Sequence, residues 1–360
     1  MPTAPEQLKN IEIRNQVLLE GLKEGEHRKF AKFLRDLSNQ IIKRLESEGQ
    51  TIRTKRRLQI LLTDFNEIQN LIYSEYVGFL GENLEDITID QAEFETQALN
   101  QTVNNFDSVT PAPVQLLTAS RVVPMSVQGL TSKPLLKPFI KDWTTDSINR
   151  VNTVIQQGFA QGKTVNQMSL EIRGTKQQKF KNGVLAKINR DNRAIVRTAI
   201  QHVASVARTE TMQQNSDLVK GYQVVATLDS STTAICRGLD GRNFKIGEGP
   251  LPPFHVGCRT TTVAILDERF DFLDEDAKRP AVGEKKIGQV AADKTYYEWL
   301  ITQSAKFQNS VIGVNRGKLL RNGGLTAEEF GRLSLDKNFQ PLTLDEMRAK
   351  RPEVFEEANV

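Results

Sequence analysis

Apolar residues recur at helical spacing through most of the first hundred positions. Phe30, Phe33, Leu34, Leu37, Ile41 and Leu45 make one stripe at intervals of three and four. Leu58, Leu61, Leu62, Phe65, Ile68, Ile72, Phe79 and Leu80 continue a similar pattern. Residues 6–106 therefore read as helices. Gly49 and Gly81 are candidate stops, because glycine accepts the left-handed backbone of a helix C-cap. Long stripes with few breaks suggest a helical hairpin or bundle arm whose first purpose is core packing.

The pattern is lost between 107 and 142. Pro111, Pro113, Pro124, Pro134 and Pro138 punctuate this stretch. Each removes a backbone donor and restricts its predecessor, so 111–144 reads as an irregular linker. Helical spacing returns at Asp146, with Ile148, Val151, Val154 and Ile155 ahead of Gly158 and Gly162. Thr164 with Gln167 is a capping-box signature for a short helix through Ile172. A further helix covers about 191–215, with Ile195, Ala199, Val203 and Val206 on one face.

The period then changes from 3.6 to 2. Tyr222–Leu228 and Val263–Leu266 are β-prone, and turns at Leu239-Asp240-Gly241 and Gly247–Pro253 lie between them. The polar stretch Asp267–Lys294, with Arg279-Pro280-Ala281-Val282-Gly283 inside it, reads as a tether. Residues 295–360 are helical again, with capping boxes at Thr326/Glu329 and Thr343/Glu346. The expected fold is mainly α with a small β/loop-rich unit, an α+β class. It divides into a helical N-terminal region (1–110), a linker (111–144), a central domain (145–266), a tether (267–294) and a helical tail (295–360).

Composition narrows the function classes. Of 360 residues, 38% are apolar and 26% charged, as in a folded hydrophilic protein. No run of 18 apolar residues is present, and the first residues lack a basic-then-apolar signal pattern. The expected location is the cytoplasm, or a particle assembled there. Net charge is only +4 but is split along the chain. Residues 58–120 hold ten acids, from Asp64 to Asp107, and no Lys or Arg. Residues 173–208 hold Arg173, Lys176, Lys179, Lys181, Lys187, Arg190, Arg193, Arg197 and Arg208 against one acid, Asp191. Such a split suits two faces for different partners, or two solvated helix faces.

Chemistry is bounded by two cysteines and three histidines. Cys236, His255 and Cys258 come together among turns, flanked by Asp229, Thr232, Asp240, Gly241 and Arg259. Three readings compete. A structural zinc site wants four N/S ligands, and only three are certain, with Asp229 or Asp240 left to complete the set. A Cys–His nucleophile pair needs an orienting third group and an oxyanion hole, which nothing marks. The third reading is structural: small buried cysteines packing as apolar residues, His255 satisfying backbone carbonyls, and Asp240-Gly241 an ordinary turn pair. The ligand shortfall favours this last reading, with no metal or cofactor. No phosphate loop, dinucleotide fingerprint, His-Glu-x2-His helix or nucleophile elbow is present. Arg208 and Glu210, two apart on a helix, do not share a face, so ion pairs to other elements are expected. The basic stretch could meet DNA phosphates or an acidic protein surface. Its single aromatic, Phe180, does not indicate base stacking.

An ordered series of residues carries a resemblance. Ala207-Arg208-Thr209-Glu210-Thr211, Asn215, Tyr222, Asp229, Thr232, Cys236, Leu239-Asp240-Gly241, Phe244, Pro253, His255 and Cys258-Arg259 resemble the head-morphogenesis domain of phage minor capsid proteins typified by the phage Mu F protein. The tail is similar to the C-terminal extension of Mu-type members through Arg279-Pro280, Gly283, Tyr296, Trp299-Leu300, Gln303, Phe307, Gly313, Arg316-Gly317-Lys318-Leu319, Gly323-Gly324-Leu325, Phe330, Leu342 and Leu344. Residues 1–110 lie outside the match. Many members carry cysteines where Thr233 and Thr260 stand here, which argues for a fold-bracing role for Cys236, His255 and Cys258. The resemblance implies a non-enzymatic assembly protein inside the phage head near the portal, and in the host cytoplasm during assembly. Its partners would be the portal, scaffold or major capsid protein and phage DNA, with no membrane contact before ejection. Rival readings from the residues are a zinc-dependent nuclease or toxin-like effector, and a nonspecific DNA-binding module.

Overall fold

Two helices of 43 and 48 residues carry the N-terminal stripes: α1 (Ala4–Glu46) and α2 (Lys55–Thr102). The computed structural model describes residues 4–103, 107–128, 133–268, 278–284, 287–291 and 293–360. Gly49, at φ +82°, follows the end of α1, and the Thr54 side chain caps α2 by accepting from the Arg57 amide. Gly81 does not stop α2. Leu80, Leu84 and Ile87 stay buried on one stripe, and their packing outweighs the roughly 1 kcal/mol that a mid-helix glycine costs.

Among its described residues the proline-punctuated stretch carries helices rather than irregular chain alone. It holds α3 (Pro113–Val122) and the start of α4 (Leu136–Ala160). Pro113 sits in the first turn of α3, where its missing N–H has no intrahelical partner to lose. After α4 come α5 (Val165–Arg173), opened by the Thr164–Gln167 capping box, and α6 (Val184–Gln214). The last begins earlier than its apolar spacing suggested, because Leu185 and Ile188 are interleaved with exposed Lys187 and Arg190.

Helices α1, α2, α4, α5 and α6 share one core. Its aromatic centre joins three helices: Phe30 lies 4.7 Å from Tyr76 and 5.5 Å from Trp143, ring centre to ring centre. Polar residues on α6 punctuate this core. Asn192 donates to the Tyr76 hydroxyl at 2.9 Å and meets His27 Nδ1 at 3.0 Å. Gln201 accepts from Lys23 Nζ at 2.6 Å and from Gln16 at 3.0 Å, and donates to the Thr260 carbonyl at 3.0 Å. A slip of α1 along α6 would strand these buried groups, so they specify one register.

The small β unit follows α6. Strand β1 (Val219–Val225) is central, with β2 (Asn243–Phe244) and β3 (Thr261–Leu266) antiparallel on either side. Tyr222 stands opposite both Phe244 and Ala264. The short helix α7 (Ala234–Leu239) lies between β1 and β2. This unit's core takes Cys236, Leu239, Phe254, Cys258 and Val263, together with Leu8 from α1 and Leu99 from α2.

The stretch read as a polar tether contains a hairpin of β4 (Lys278–Val282) and β5 (Ile287–Ala291). Alternation explains it: Arg279 and Ala281 are buried while Lys278, Pro280 and Val282 face out. Ala281 also bridges to Leu228 beside β1. The remainder of the tether, at 269–277, 285–286 and 292, lies outside the described residues.

The tail folds as α8 (Tyr296–Ile301), α9 (Ala305–Ile312), α10 (Val314–Asn322), α11 (Ala327–Leu333), α12 (Leu344–Lys350) and α13 (Pro352–Glu357) around Trp299, Phe330 and Phe355. The capping boxes at Thr326/Glu329 and Thr343/Glu346 form, and a further one appears at Thr295/Glu298. No helix among the described residues is long and apolar enough to cross a membrane.

Candidate functional site

The densest chemistry sits where α7 faces the turn leading into β3. Asp229 begins this site. Its carboxylate takes the Ser231 amide at 2.9 Å and the Thr232 hydroxyl at 3.1 Å, closing the turn that starts α7. Arg259, just before β3, grips the same carboxylate with two hydrogen bonds of 2.6 and 2.9 Å. Burial pushes the Asp229 carboxyl up. The hydrogen bonds and charge of Arg259 outweigh that and hold it below the usual carboxylate range. The Asp229 carbonyl accepts from the Tyr296 hydroxyl at 2.7 Å, which ties the tail to the same turn.

Asp240 is not an ordinary turn residue. Its side chain is buried, accepts from the Ala226 amide at 2.6 Å, and pairs with both terminal nitrogens of Arg279 at 3.1 Å. Arg279 also donates to the carbonyls of Ala226 and Lys294. The pair thus joins β1, α7 and the β4–β5 hairpin. Turn propensity could not show this, because the partner lies 39 residues on in the segment read as tether. Gly241, at φ +81°, is required beside it: an added Cβ would come within 2.6 Å of the Thr295 methyl.

Cys236, on α7, places its Sγ 3.2 Å from His255 Nε2 and 3.8 Å from Cys258 Sγ. The turn holding the latter two is closed by the Cys258 amide donating to the His255 carbonyl at 3.1 Å. His255 Nδ1 lies 3.0 Å from the Val256 carbonyl, so Nδ1–H is its donor and Nε2 faces the sulfurs. Both thiols are buried and free. Burial, and the neighbouring Cys258, push the Cys236 thiol up. For Cys258, burial acts the same way, but its interactions with Cys236 and His255 outweigh it and hold it well down. A cleft of about 570 Å³ opens over Cys236 and His255, rimmed by Arg190, Arg193, Arg197 and Arg259.

The basic stretch divides in two. Arg193 and Arg197 are neutralised by α1: Glu24 Oε1 lies 2.8 and 2.7 Å from them, and Arg197 also binds Glu20. Burial pushes Glu24 up, but these two arginines outweigh it and hold its carboxyl below the ordinary range. Arg173, Lys176, Lys179, Lys181, Lys187 and Arg190 are exposed, like Arg193, but lie away from these α1 acids on the 173–183 loop and the first turns of α6. Lys179 and Phe180 both adopt positive φ, 49° and 59°, at the tip of this loop.

Arg208 is turned inward. Its Nε donates to Glu95 Oε1 at 2.7 Å, Nη1 donates to the Thr261 hydroxyl at 2.7 Å, and Nη2 lies 3.1 Å from Glu12 Oε2. Thr209 bonds back to the Ser205 carbonyl, and Glu210 accepts from Gln115. The expected ion pairs to other elements are present for Arg208, with partners on α2 and α1. Glu95 could have been found in the sequence: it lies in the register of buried α2 positions Ile87, Gln91 and Leu99, where a solvated acid does not belong. The solvated acids do share a face. Glu67, Glu75, Glu82, Asp86, Asp90 and Glu93 are all exposed, at spacings that keep them on one stripe of α2 about 39 Å long.

Residues 149–263, from within α4 to within β3, match the family model described as Phage Mu protein F like protein. No curated protein and no solved structure matches the chain.

Proposed function

With residues 149–263 a Mu F-like module of phage head proteins, we propose that this chain is a minor capsid protein that docks on the portal inside the head during procapsid assembly. The family match carries the reading. The chain acts by binding, with its Cys/His cluster and its Asp229–Arg259 and Asp240–Arg279 pairs shaping the module. Helices α1 and α2 cover the polar side of α6, and α2 turns its acidic stripe outward, which suits a basic face on the portal or scaffold. The exposed Lys176, Lys179, Lys181 and Lys187 suit packaged DNA at a second surface.

Co-expression with the cognate portal tests this. The two should co-purify at moderate salt, the chain should be present in purified virions, and replacing Glu82, Asp86 and Asp90 by Ser should weaken capture. Absence of co-purification together with absence from virions rejects the reading. A protein that binds DNA steeply with salt but ignores the portal belongs to the DNA-binding alternative instead.

A further inference from the structure

Three soft ligand atoms converge on one point. Cys236 Sγ, His255 Nε2 and Cys258 Sγ all lie within 4.8 Å of one another, with the sulfurs 3.8 Å apart and Nε2 3.2 Å from Cys236 Sγ. A tetrahedral zinc ion has bonds of about 2.3 Å to sulfur and about 2.0–2.1 Å to nitrogen. That geometry separates two sulfurs by roughly 3.8 Å and a sulfur and a nitrogen by roughly 3.5 Å. The two edges that meet at Cys236 are therefore already close to the size that a single ion demands.

The surroundings fit as well. The Val256 carbonyl holds the imidazole by Nδ1, which leaves the Nε2 lone pair directed at the sulfurs, the arrangement that orients metal-bound histidines. The three side chains come from two segments, α7 and the turn before β3, so an ion would join them. Cys236 and His255 line the cleft rimmed by four arginines, which gives a fourth coordination position access to water. The sequence offers no fourth Cys or His beside them, and a site with one position left to water requires only three protein ligands.

We propose that Cys236, His255 and Cys258 form a Cys2His site for a zinc ion, with water from the cleft in the fourth position. Binding releases to solvent the protons that the cluster still holds and replaces the sulfur–imidazole contacts by metal–ligand bonds. The ion clamps α7 to the 253–260 turn and so braces the module independently of what it docks on.

The test uses the full chain. Purified without chelator, it should carry one zinc per chain by elemental analysis. After zinc removal, Co²⁺ should restore a near-ultraviolet thiolate-to-metal band and the visible bands of a tetrahedral site. Cys258→Ser should abolish both, and His255→Gln should weaken metal affinity at least about tenfold. Cys258→Ser also alters a core side chain, so the wild-type Co²⁺ spectrum stands as a readout that needs no variant to fold. Three results would overturn the proposal: a folded wild-type chain with no metal above the buffer control, a Co²⁺ spectrum of octahedral type, or a Cys236–Cys258 disulfide in the protein as purified.

Discussion

Arg208 and Glu95 form an ion pair sealed inside the protein: Nε lies 2.7 Å from Oε1, and the arginine side chain has no solvent exposure. Removing one partner leaves the other charge buried and unpaired, which costs about 3–5 kcal/mol. Glu95→Ala is therefore expected to lower unfolding free energy by that amount in urea titrations, and Arg208→Ala similarly. An effect near zero would mean that water reaches the pair.

Glu12 responds differently. Burial, and the neighbouring Glu95, raise its carboxyl well above the usual range against the pull of Arg208. A raised folded-state pKa favours the folded state at low pH, and that advantage is lost as pH rises from the unfolded value of about 4.3 through the folded one. Glu12→Gln keeps the shape and a donor but cannot ionise. Its stability relative to wild type should therefore grow with pH above about 4.3, read from urea midpoints across pH. A constant difference would show that Glu12 ionises freely in the folded protein.

His202 gives the opposite pH dependence. Burial lowers it to about 4, and its Nε2 donates to the Ser120 carbonyl at 3.3 Å. The unfolded chain then binds the proton first. Stability is complete above about pH 6.5 and declines as pH falls to about 4, by about 3 kcal/mol in all. His202→Asn should flatten this segment of the stability profile.

Arg279 anchors the hairpin through Asp240. Asp240→Ala should leave the arginine buried without its partner and cost about 3–5 kcal/mol. Amide exchange in β4 and β5 should rise more than in α4. Equal protection in the variant would show that the Leu228–Ala281 bridge alone holds the hairpin.

Exposed and neutralised cations should separate in DNA binding. Replacing Lys179, Lys181 and Lys187 by Glu should flatten the salt dependence of affinity, by about 0.9 in slope for each phosphate no longer neutralised. Arg193→Gln should change it little, since Glu24 already neutralises that charge. Fluorescence anisotropy at several salt concentrations distinguishes the two, and equal slopes in all variants would exclude this face from the DNA.

Local features were legible in the chain because their causes are local. The apolar stripes of α1 and α2, the capping boxes at Thr164, Thr326 and Thr343, and the change to period two at Tyr222 each depend on residues within a few positions. The ordered run of motif residues pointed to the family whose model matches residues 149–263. What needed the tertiary structure was every relationship whose partner lies far along the chain. Gly81 passes through α2 because burial on neighbouring helices outweighs its weak propensity. Arg208 meets Glu95 across 113 residues, and Arg193 meets Glu24 across 169. The basic stretch consequently splits into neutralised and exposed charges, which charge counting along the chain cannot show. Cys236 and His255 were visible as candidates, but spacing alone says nothing about distance. Only the packing of α7 against the turn before β3 brings their ligand atoms to 3.2 Å.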